Sequence, residues 1–306
     1  MPETGTTNNH PETVPEKLDP RLLEAVRNLS FLPHLLSSDS YSGIHDGKRS
    51  GSNMEFSTHR QYEPGDDLRY LDWNILAKTG EAHLKQFESE NRINAGIIMD
   101  SSNSMDYASE KLSKWELARA VAVMCGGILL QQQDRIKFIA SGGTTVELPD
   151  WSAAEELSAN LEKIKQISPG GKTILLPTAQ KYEKRINKKK LWIFVSDFWL
   201  PDPEAFFRWV KNIQSRGHRV LLAATYDPLE RQFDSENPCR LKDMETGTTI
   251  TLSLSESEDF SRKLRAYRRR LKNMAVKNNV TLWNFFTDRN PIKQLHDHLG
   301  ESSLNR

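Results

Sequence analysis

Apolar residues along this chain recur in four short β-rich runs, which are separated by amphipathic stretches of helical length. Continuous apolar runs of this kind predict strands that are buried on both faces, and their alternation with helices predicts βαβ units and a parallel sheet. A long basic helix at about 257–278 and a last strand at 280–286 are predicted to complete that sheet. The four runs are 93–100, 135–141, 190–197 and 219–227.

Two further patterns predict hairpins. Gly142 and Gly143 separate the run at 135–141 from TTVELP at 144–149, which predicts a tight turn to an antiparallel edge strand. The segment 239–254 predicts a second hairpin that turns at 245–247. Together these patterns predict an α/β fold with a doubly wound, mostly parallel sheet and helices on both faces.

The first 92 residues have a different texture. Residues 1–18 are rich in Thr, Asn, Pro and Glu, a composition that predicts a disordered tail. Apolar residues then recur at helical spacing from Leu22 to Leu35, which predicts one helix with a break near Pro33. The following Gly-, Arg-, Asp- and Tyr-rich stretch predicts an irregular β segment that packs on another domain. We therefore predict a tail at 1–18, an N-terminal helix and β segment at 19–92, and the sheet domain at 93–306.

Charge and composition limit the classes of partner. Lys and Arg total 42 and Asp and Glu total 41, so no global charge bias favours nucleic acid or anionic lipid. The two cysteines lie far apart in unlike contexts, which argues against a disulfide framework and against a zinc site. The sequence shows no long apolar run and no basic or apolar leader, so we predict no membrane span, no signal peptide and a cytoplasmic protein.

The hexapeptide DSSNSM directly follows the apolar run 94–99, begins with the last residue of the first predicted strand, and carries the pattern Asp-x-Ser-x-Ser. Its oxygen donors are Asp100, Ser102 and Ser104. Carboxylate and hydroxyl oxygens suit a hard cation such as Mg2+ or Mn2+ rather than zinc. The alternative interpretation is a Ser-rich loop whose hydroxyls only cap the next helix.

Two distant segments are predicted to reach the same point. In an open doubly wound sheet, ligands bind beyond the carboxyl ends of the strands, where the strand order reverses. The strand at 190–197 ends in Asp197, and the Gly-rich turn PGGKT ends in Thr173. As alternatives, Asp197 caps a helix that begins near Pro203, and Thr173 is an ordinary helix N-cap. The predicted ligands of one Mg2+ ion, with Mn2+ as the alternative ion, are Asp100, Ser102, Ser104, Thr173 and Asp197.

The segment 47–92 carries the most specific motifs of the chain, and an Asp-Pro-x-Glu motif follows the strand at 219–227. These motifs comprise Arg60, Tyr62, Pro64–Asp67, Arg69, Asp72–Trp73, Glu90, and Asp227, Pro228 and Glu230. In them the chain resembles the family known as domain of unknown function 58, a set of bacterial von Willebrand factor A-like proteins.

The resemblance implies a von Willebrand factor A-like fold with a metal-ion-dependent adhesion site. In such sites a partner's carboxylate fills an open coordination position of the ion. It also implies association with AAA+ ATPases of the MoxR group. The molecular role of the family is mostly undefined, so the resemblance indicates a mode of action rather than a pathway.

The same segment also has a purely structural interpretation. Pro64 and Gly65 suit the centre of a type II turn, which requires a positive φ at the glycine. The mixed charges from Arg60 to Asp72 predict an ion network that clamps the segment to a domain, with a partner-docking surface as the alternative. Trp73 is predicted to be packed.

We predict a non-enzymatic adaptor that grips an acidic side chain of a partner protein. A phosphohydrolase with Asp100 as nucleophile is the first alternative, but that chemistry needs a second acid two positions on, where this chain has Ser102. Nucleic-acid binding through the basic runs at 184–190 and 262–272 is the second alternative, although such runs are usually solvated helix faces. Alanine at Ser102 or Asp197 is predicted to leave the fold intact and to abolish partner capture.

Overall fold

The chain forms two compact units, Met1–Ser40 with Ile93–Arg306, and Tyr41–Arg92. The first described element of the larger unit is helix α1 (Arg21–Ala25), whose Leu22 is buried in the apolar core of that unit, as is Val26 just beyond the helix. The predicted continuation of this helix toward Leu35 lies outside the described residues. The computed structural model describes residues 21–27, 29, 54–62, 71–89, 93–109, 111–185, 190–231, 239–242, 244 and 247–304.

The smaller unit contains an antiparallel pair, β1 (Met54–Gln61) and β2 (His83–Ser89), with helix α2 (Trp73–Thr79) between them in the chain. Asp72 caps α2 by accepting hydrogen bonds from two of its first backbone N–H groups. The indole of Trp73 is 65% exposed, so the prediction that it packs was wrong. The predicted PGDD turn lies outside the described residues.

Six strands of the larger unit form one sheet. The strands after β2 are β3 (Asn94–Asp100), β4 (Arg135–Ser141), β5 (Val146–Trp151), β6 (Lys190–Ser196), β7 (Arg219–Tyr226), β8 (Cys239–Lys242), β9 (Thr249–Leu252) and β10 (Thr281–Phe286). The sheet has the spatial order β10-β7-β6-β3-β4-β5, and every pair is parallel except β4 with β5. The predicted antiparallel edge strand and the β8–β9 hairpin are both present.

This arrangement confirms the predicted fold class, a von Willebrand factor A-like, doubly wound α/β sheet. Counting only its six strands along the chain, the sheet has the order 3-2-1-4-5-6. The order reverses between β3 and β6, which are hydrogen-bonded neighbours. The edge where both of these strands end is therefore the place at which such folds bind ligands.

Helices cover both faces of the sheet. After α2 they are α3 (Lys114–Gln131), α4 (Ala154–Ala159), α5 (Leu161–Lys165), α6 (Leu175–Glu183), α7 (Pro203–Ser215), α8 (Pro228–Arg231), α9 (Leu254–Lys277) and α10 (Pro291–Leu304). Side chains of a strand point alternately to opposite faces. Accordingly Ile97 of β3 packs in the core around α3, whereas Ile98 packs in the core around α6 and α7.

Apolar packing on both faces of the sheet holds helix α3 and the central strands in place. Helix α3 is buried along most of its length, including Cys125, and a capping box of Ser113 and Glu116 fixes where it begins. On the other face Phe194 packs edge-on against Phe206 and Trp209.

Among the described residues, no helix is both long and apolar enough to cross a bilayer.

Candidate metal centre

The carboxyl ends of β3 and β6 bring two aspartates together at the reversal point of the sheet. Asp100 is the last residue of β3, and Asp197 directly follows β6. Ser196, the last residue of β6, donates a hydrogen bond of 2.8 Å from its hydroxyl to Asp100 Oδ2. Residues that are 97 positions apart in the sequence are thus neighbours because their strands pair directly.

Asp100 is the centre of this cluster and is only 1% exposed. Its Oδ1 accepts the backbone N–H of Ser102 at 2.9 Å, and its Oδ2 accepts the hydroxyl of Thr173 at 2.9 Å. Burial, followed by the negative charge of Asp197, raises the pKa of Asp100 from 3.8 to about 6, against the lowering effect of its hydrogen bonds from Ser102 and Ser196. The carboxylate is therefore held in a position where a positive charge would stabilise it.

The loop that carries Thr173 is fixed to the loop after β3 by backbone hydrogen bonds. Gly170 N donates to Ser101 O at 2.7 Å, and Asn103 N donates to Gly171 O at 2.9 Å. Gly171 has a φ of 72°, in the left-handed region that glycine adopts at low cost. Gly171 of PGGKT thus allows the close backbone approach that brings Thr173 to Asp100.

Shortly after Asp100, Ser102 directly precedes a short 3-10 turn, Asn103–Asp106, and Ser104 lies within it. Their hydroxyl oxygens are 3.1 Å apart, and Ser102 is fully buried. The structure thus gathers the Asp100, Ser102, Ser104 and Thr173 oxygens by hydrogen bonds at the end of β3, with Asp197 alongside at the end of β6. These are the five residues that the sequence predicts as ligands.

The helix-capping alternatives do not describe these residues. Helix α7 is capped by Asp202, and Asp197 instead accepts the backbone N–H of Trp199 at 3.2 Å. Helix α6 has no side-chain cap, since its N-cap residue is Ile174, and the Thr173 hydroxyl donates to Asp100. Ser102 precedes its 3-10 turn without a side-chain capping bond. The side-chain oxygens of the site therefore do not serve as helix N-caps.

Two further residues, which no sequence pattern indicated, complete the cluster: Lys114 and Ser196. The Lys114 ammonium lies 2.8 Å from Asp197 Oδ2 and 2.7 Å from Glu230 Oε1, and its side chain is 2% exposed. Burial alone would lower the pKa of Lys114, but the Asp197 and Glu230 carboxylates raise it above its ordinary value. A lysine at the start of a helix normally suggests a solvated side chain, so the sequence carries no signal of this burial.

The Asp-Pro-x-Glu motif holds the loop between β3 and α3. Asp227 is fully buried, and its carboxylate accepts the Ser109 backbone N–H at 2.8 Å and the Ser109 hydroxyl at 2.5 Å. Glu230 accepts the backbone N–H of Asp227 at 3.3 Å and lies 3.5 Å from Arg268. The motif therefore connects the end of β7 to the site through Lys114.

The charge of this network fits a divalent cation. Four carboxylates and two cations take part in the contacts described above, so the network carries an excess of two negative charges. Buried charge without compensation is costly, and hydroxyl and carboxylate oxygens are the donors that Mg2+ and Mn2+ prefer. Among the described residues, no three His, Cys, Asp or Glu side chains form a metal-binding cluster, so the hydroxyls are essential to this interpretation. The charged residues are Asp100, Asp197, Asp227, Glu230, Lys114 and Arg268.

A cavity of about 570 Å3 opens beside the site. Ser101, between two of the predicted ligands, lies on its wall together with Gly170 and Gly171, and its apolar lining includes Leu148 and Ile167. Its volume falls in the range of protein clefts that hold organic ligands. The site therefore adjoins a space large enough for side chains of a bound segment.

Asp100→Asn is expected to stabilise the metal-free protein at pH 7.5 by about 2 kcal/mol. An acid whose pKa is higher in the folded than in the unfolded chain lowers stability once it ionises. This penalty is absent below pH 3.8 and complete above about pH 6, so the advantage of the variant should vanish as the pH falls toward 4. Urea denaturation in EDTA at several pH values measures it.

The control for this prediction is Asp150→Asn, because the Asp150 side chain is 71% exposed and its replacement should change stability little. A metal-free Asp100→Asn protein that is less stable than wild type at pH 7.5 would contradict the prediction.

Comparisons with known proteins found a family model and a curated relative that match most of this chain. The family model described as "Protein of unknown function DUF58" matches residues 58–276. An uncharacterized protein of Mycobacterium tuberculosis is 26% identical over 256 residues, which cover 82% of this chain and 80% of the relative.

Two solved structures are similar at low identity. The conserved hypothetical protein BatB from Bacteroides thetaiotaomicron is 15% identical, with a TM-score of 0.42 over 70% of this chain and 100% of that chain. The VWA domain of SpRpn10 is 11% identical, with a TM-score of 0.40 over 67% of this chain and 95% of that chain.

Proposed function

Because this chain belongs to the DUF58 family, whose members are described only as proteins of unknown function, we propose a function from the chemistry of its site. The protein is a non-enzymatic adaptor that captures an acidic side chain of a partner protein through a divalent cation, Mg2+ or Mn2+. The ion is held by Asp100, Ser102, Ser104, Thr173 and Asp197, directly or through water, with one coordination position facing outward.

The convergence of hydroxyls and carboxylates on the buried Asp100 is the observation that carries this proposal. When bound, the ion supplies a positive centre that attracts an incoming carboxylate. The residues of the chain orient the oxygens toward one point, and the three hydroxyls keep the anionic charge of the ligand set low. A low anionic charge preserves the attraction between the ion and a partner's carboxylate.

The partner we propose is linked to a MoxR-type AAA+ ATPase, as the family resemblance implies, and the two proteins act in the maturation of another protein or complex. The ATPase would perform the mechanical work, and this chain would bind the partner protein. The cytoplasmic location is part of the same proposal. The cavity beside the site supports it, because a partner segment that presents an acidic residue also brings neighbouring side chains.

Two alternatives have less support. As a nucleophile, Asp100 would need an accessible oxygen, but it is buried, with one oxygen bonded to Ser102 N and the other to Thr173 and Ser196. For nucleic acid, several basic side chains of α9 already form ion pairs with acids of the chain. The pairs are Arg262 and Lys263 with Asp259, and Arg270 with Glu204.

Ser102→Ala is expected to leave the fold intact, at a cost of about 1 kcal/mol, and to abolish metal-dependent capture. Its hydroxyl is buried and hydrogen-bonded to Ser104, so little else depends on it. Wild type and variant are used as bait in native lysate with Mg2+ or EDTA, and captured proteins are identified by mass spectrometry. Mn2+ binding is measured by calorimetry on the same proteins.

Ser141→Ala is the matched control, since Ser141 is also a buried serine bonded to one hydroxyl, that of Thr178, at the end of the neighbouring strand β4. It should bind Mn2+ and capture the partner as wild type does. Equal capture by wild type in Mg2+ and in EDTA would refute the proposed function.

A further inference from the structure

Lys114 has an unusual position for the first residue of a helix, because its ammonium group is buried between two acids from distant segments. It contacts Asp197, which follows β6, and Glu230 in α8, at 2.8 and 2.7 Å. The ring of Tyr107 lies on a further side, 6.0 Å from the ammonium nitrogen. The burial and the two short ion pairs fix this positive charge at the border of the candidate metal centre.

The contacts of Asp197 show what this charge does to the site. Asp197 Oδ2 accepts the Lys114 ammonium, and Oδ1 accepts the Trp199 backbone N–H at 3.2 Å. Both oxygens of Asp197 thus have partners within the chain. Asp100, by contrast, accepts hydrogen bonds within the described part of the chain from neutral donors only, those of Ser102, Thr173 and Ser196. Of the two aspartates at the site, one is neutralised internally and the other is not.

We propose that Lys114 lowers the affinity of the site for the cation and thereby favours capture of a partner's carboxylate by the bound ion. This inference rests on the proposed function. An ammonium group close to a divalent ion repels it, and by pairing with Asp197 it also reduces the negative charge that the ligand set offers. Less of the ion's charge is then compensated by the chain, and more of it is left to attract a partner's carboxylate. Lys114 thus sets the balance between the affinity for the cation and the capture of the partner.

A purely structural role for Lys114 predicts a different result. If the ammonium only ties Asp197 to Glu230, removing it would loosen Asp197 and leave the site's affinity for a cation unchanged or lower. Electrostatic tuning predicts the opposite direction, because the variant site is more negative. The sign of the change in metal affinity therefore separates the two roles.

The test is Mn2+ binding by isothermal titration calorimetry at pH 7.5, using Mn2+ alone. Lys114→Gln keeps a hydrogen-bond donor and removes the charge, and it should bind Mn2+ at least about tenfold more tightly than wild type. Glu230→Gln removes a negative charge, keeps the hydrogen-bonding shape and retains the Lys114 pair with Asp197. It should bind Mn2+ more weakly than wild type.

Two controls complete the set. Lys137 also bridges two carboxylates, Glu147 and Asp150, at 2.7 and 3.0 Å, but it lies within β4 and outside this network. Lys137→Gln should bind Mn2+ as wild type does. Asp100→Asn should abolish binding, which would place the titrated ion at this site.

The outcomes distinguish this inference from the proposed function. Equal or weaker Mn2+ binding by Lys114→Gln, with normal binding by wild type, would overturn the role of Lys114 and leave the adaptor proposal standing. Binding by neither protein would refute both. If Lys114→Gln does not fold, Glu230→Gln decides, because tighter or unchanged binding by that variant contradicts the tuning of the site.

Discussion

Asp197→Ala is expected to lower the free energy of unfolding by about 3–5 kcal/mol, because it removes one partner of a buried ion pair. The side chains of Asp197 and Lys114 are each only 2% exposed. Without Asp197 the ammonium keeps only Glu230, and the backbone N–H of Trp199 loses its acceptor. The sequence alone suggests that this substitution leaves the fold intact, and the structure changes that expectation.

Urea denaturation of the metal-free protein measures this effect. Asp150→Ala is the comparison, since Asp150 also pairs with a lysine but is 71% exposed, and its loss should cost less than about 1 kcal/mol. A double-mutant cycle with Lys114→Met isolates the energy of the pair itself. An Asp197→Ala protein as stable as wild type would show that the pair contributes nothing to folding. Ser102→Ala is therefore the cleaner variant for testing metal-dependent capture.

Gly171→Ala is expected to destabilise the protein by about 3 kcal/mol and to abolish Mn2+ binding. With a φ of 72°, an alanine here would be strained, and its Cβ would overlap the Gly143 backbone, 2.8 Å from the nitrogen. Relief of this overlap must move the loop whose carbonyl accepts Asn103 N, and with it the turn that holds Ser102. The measurements are urea denaturation and Mn2+ calorimetry.

The adjacent glycine provides the matched control. A Cβ at Gly170 would meet nothing within 4 Å, so Gly170→Ala should change stability by less than about 0.5 kcal/mol and should keep Mn2+ binding. If both alanine variants behave alike, the backbone conformation and close approach at Gly171 are not what fixes this loop.

Three of the site residues could be placed together from the sequence pattern alone. Asp100 and Asp197 could be placed together because apolar runs identify the strands, and a doubly wound sheet places the first and fourth core strands side by side. Thr173 could be added because the preceding glycines indicate a close backbone approach. The contacts of Asp100 with Ser102 and Thr173 agree with that placement.

The burial of Lys114, in contrast, could not be predicted from the sequence. A lysine at the first turn of a helix has the pattern of a solvated residue, and its burial depends on Asp197 and Glu230, which are 83 and 116 positions away. Ser196 is similar, because a serine within a strand gives no sign that it will bond to an aspartate on the next strand. Trp73 is the opposite case, since its size predicted burial and the structure leaves it exposed.

The sequence by itself determined the order of strands and helices, the α/β class and the oxygen-rich residues at the carboxyl ends of β3 and β6. These properties follow from local periodicity and from the general rules of parallel sheets. Only the tertiary structure decided which charges neutralise each other, namely Lys114 with Asp197 and Glu230, and Asp227 with the Ser109 hydrogen-bond donors. Electrostatic pairing depends on distances of a few ångströms between remote segments, and these distances are set by packing.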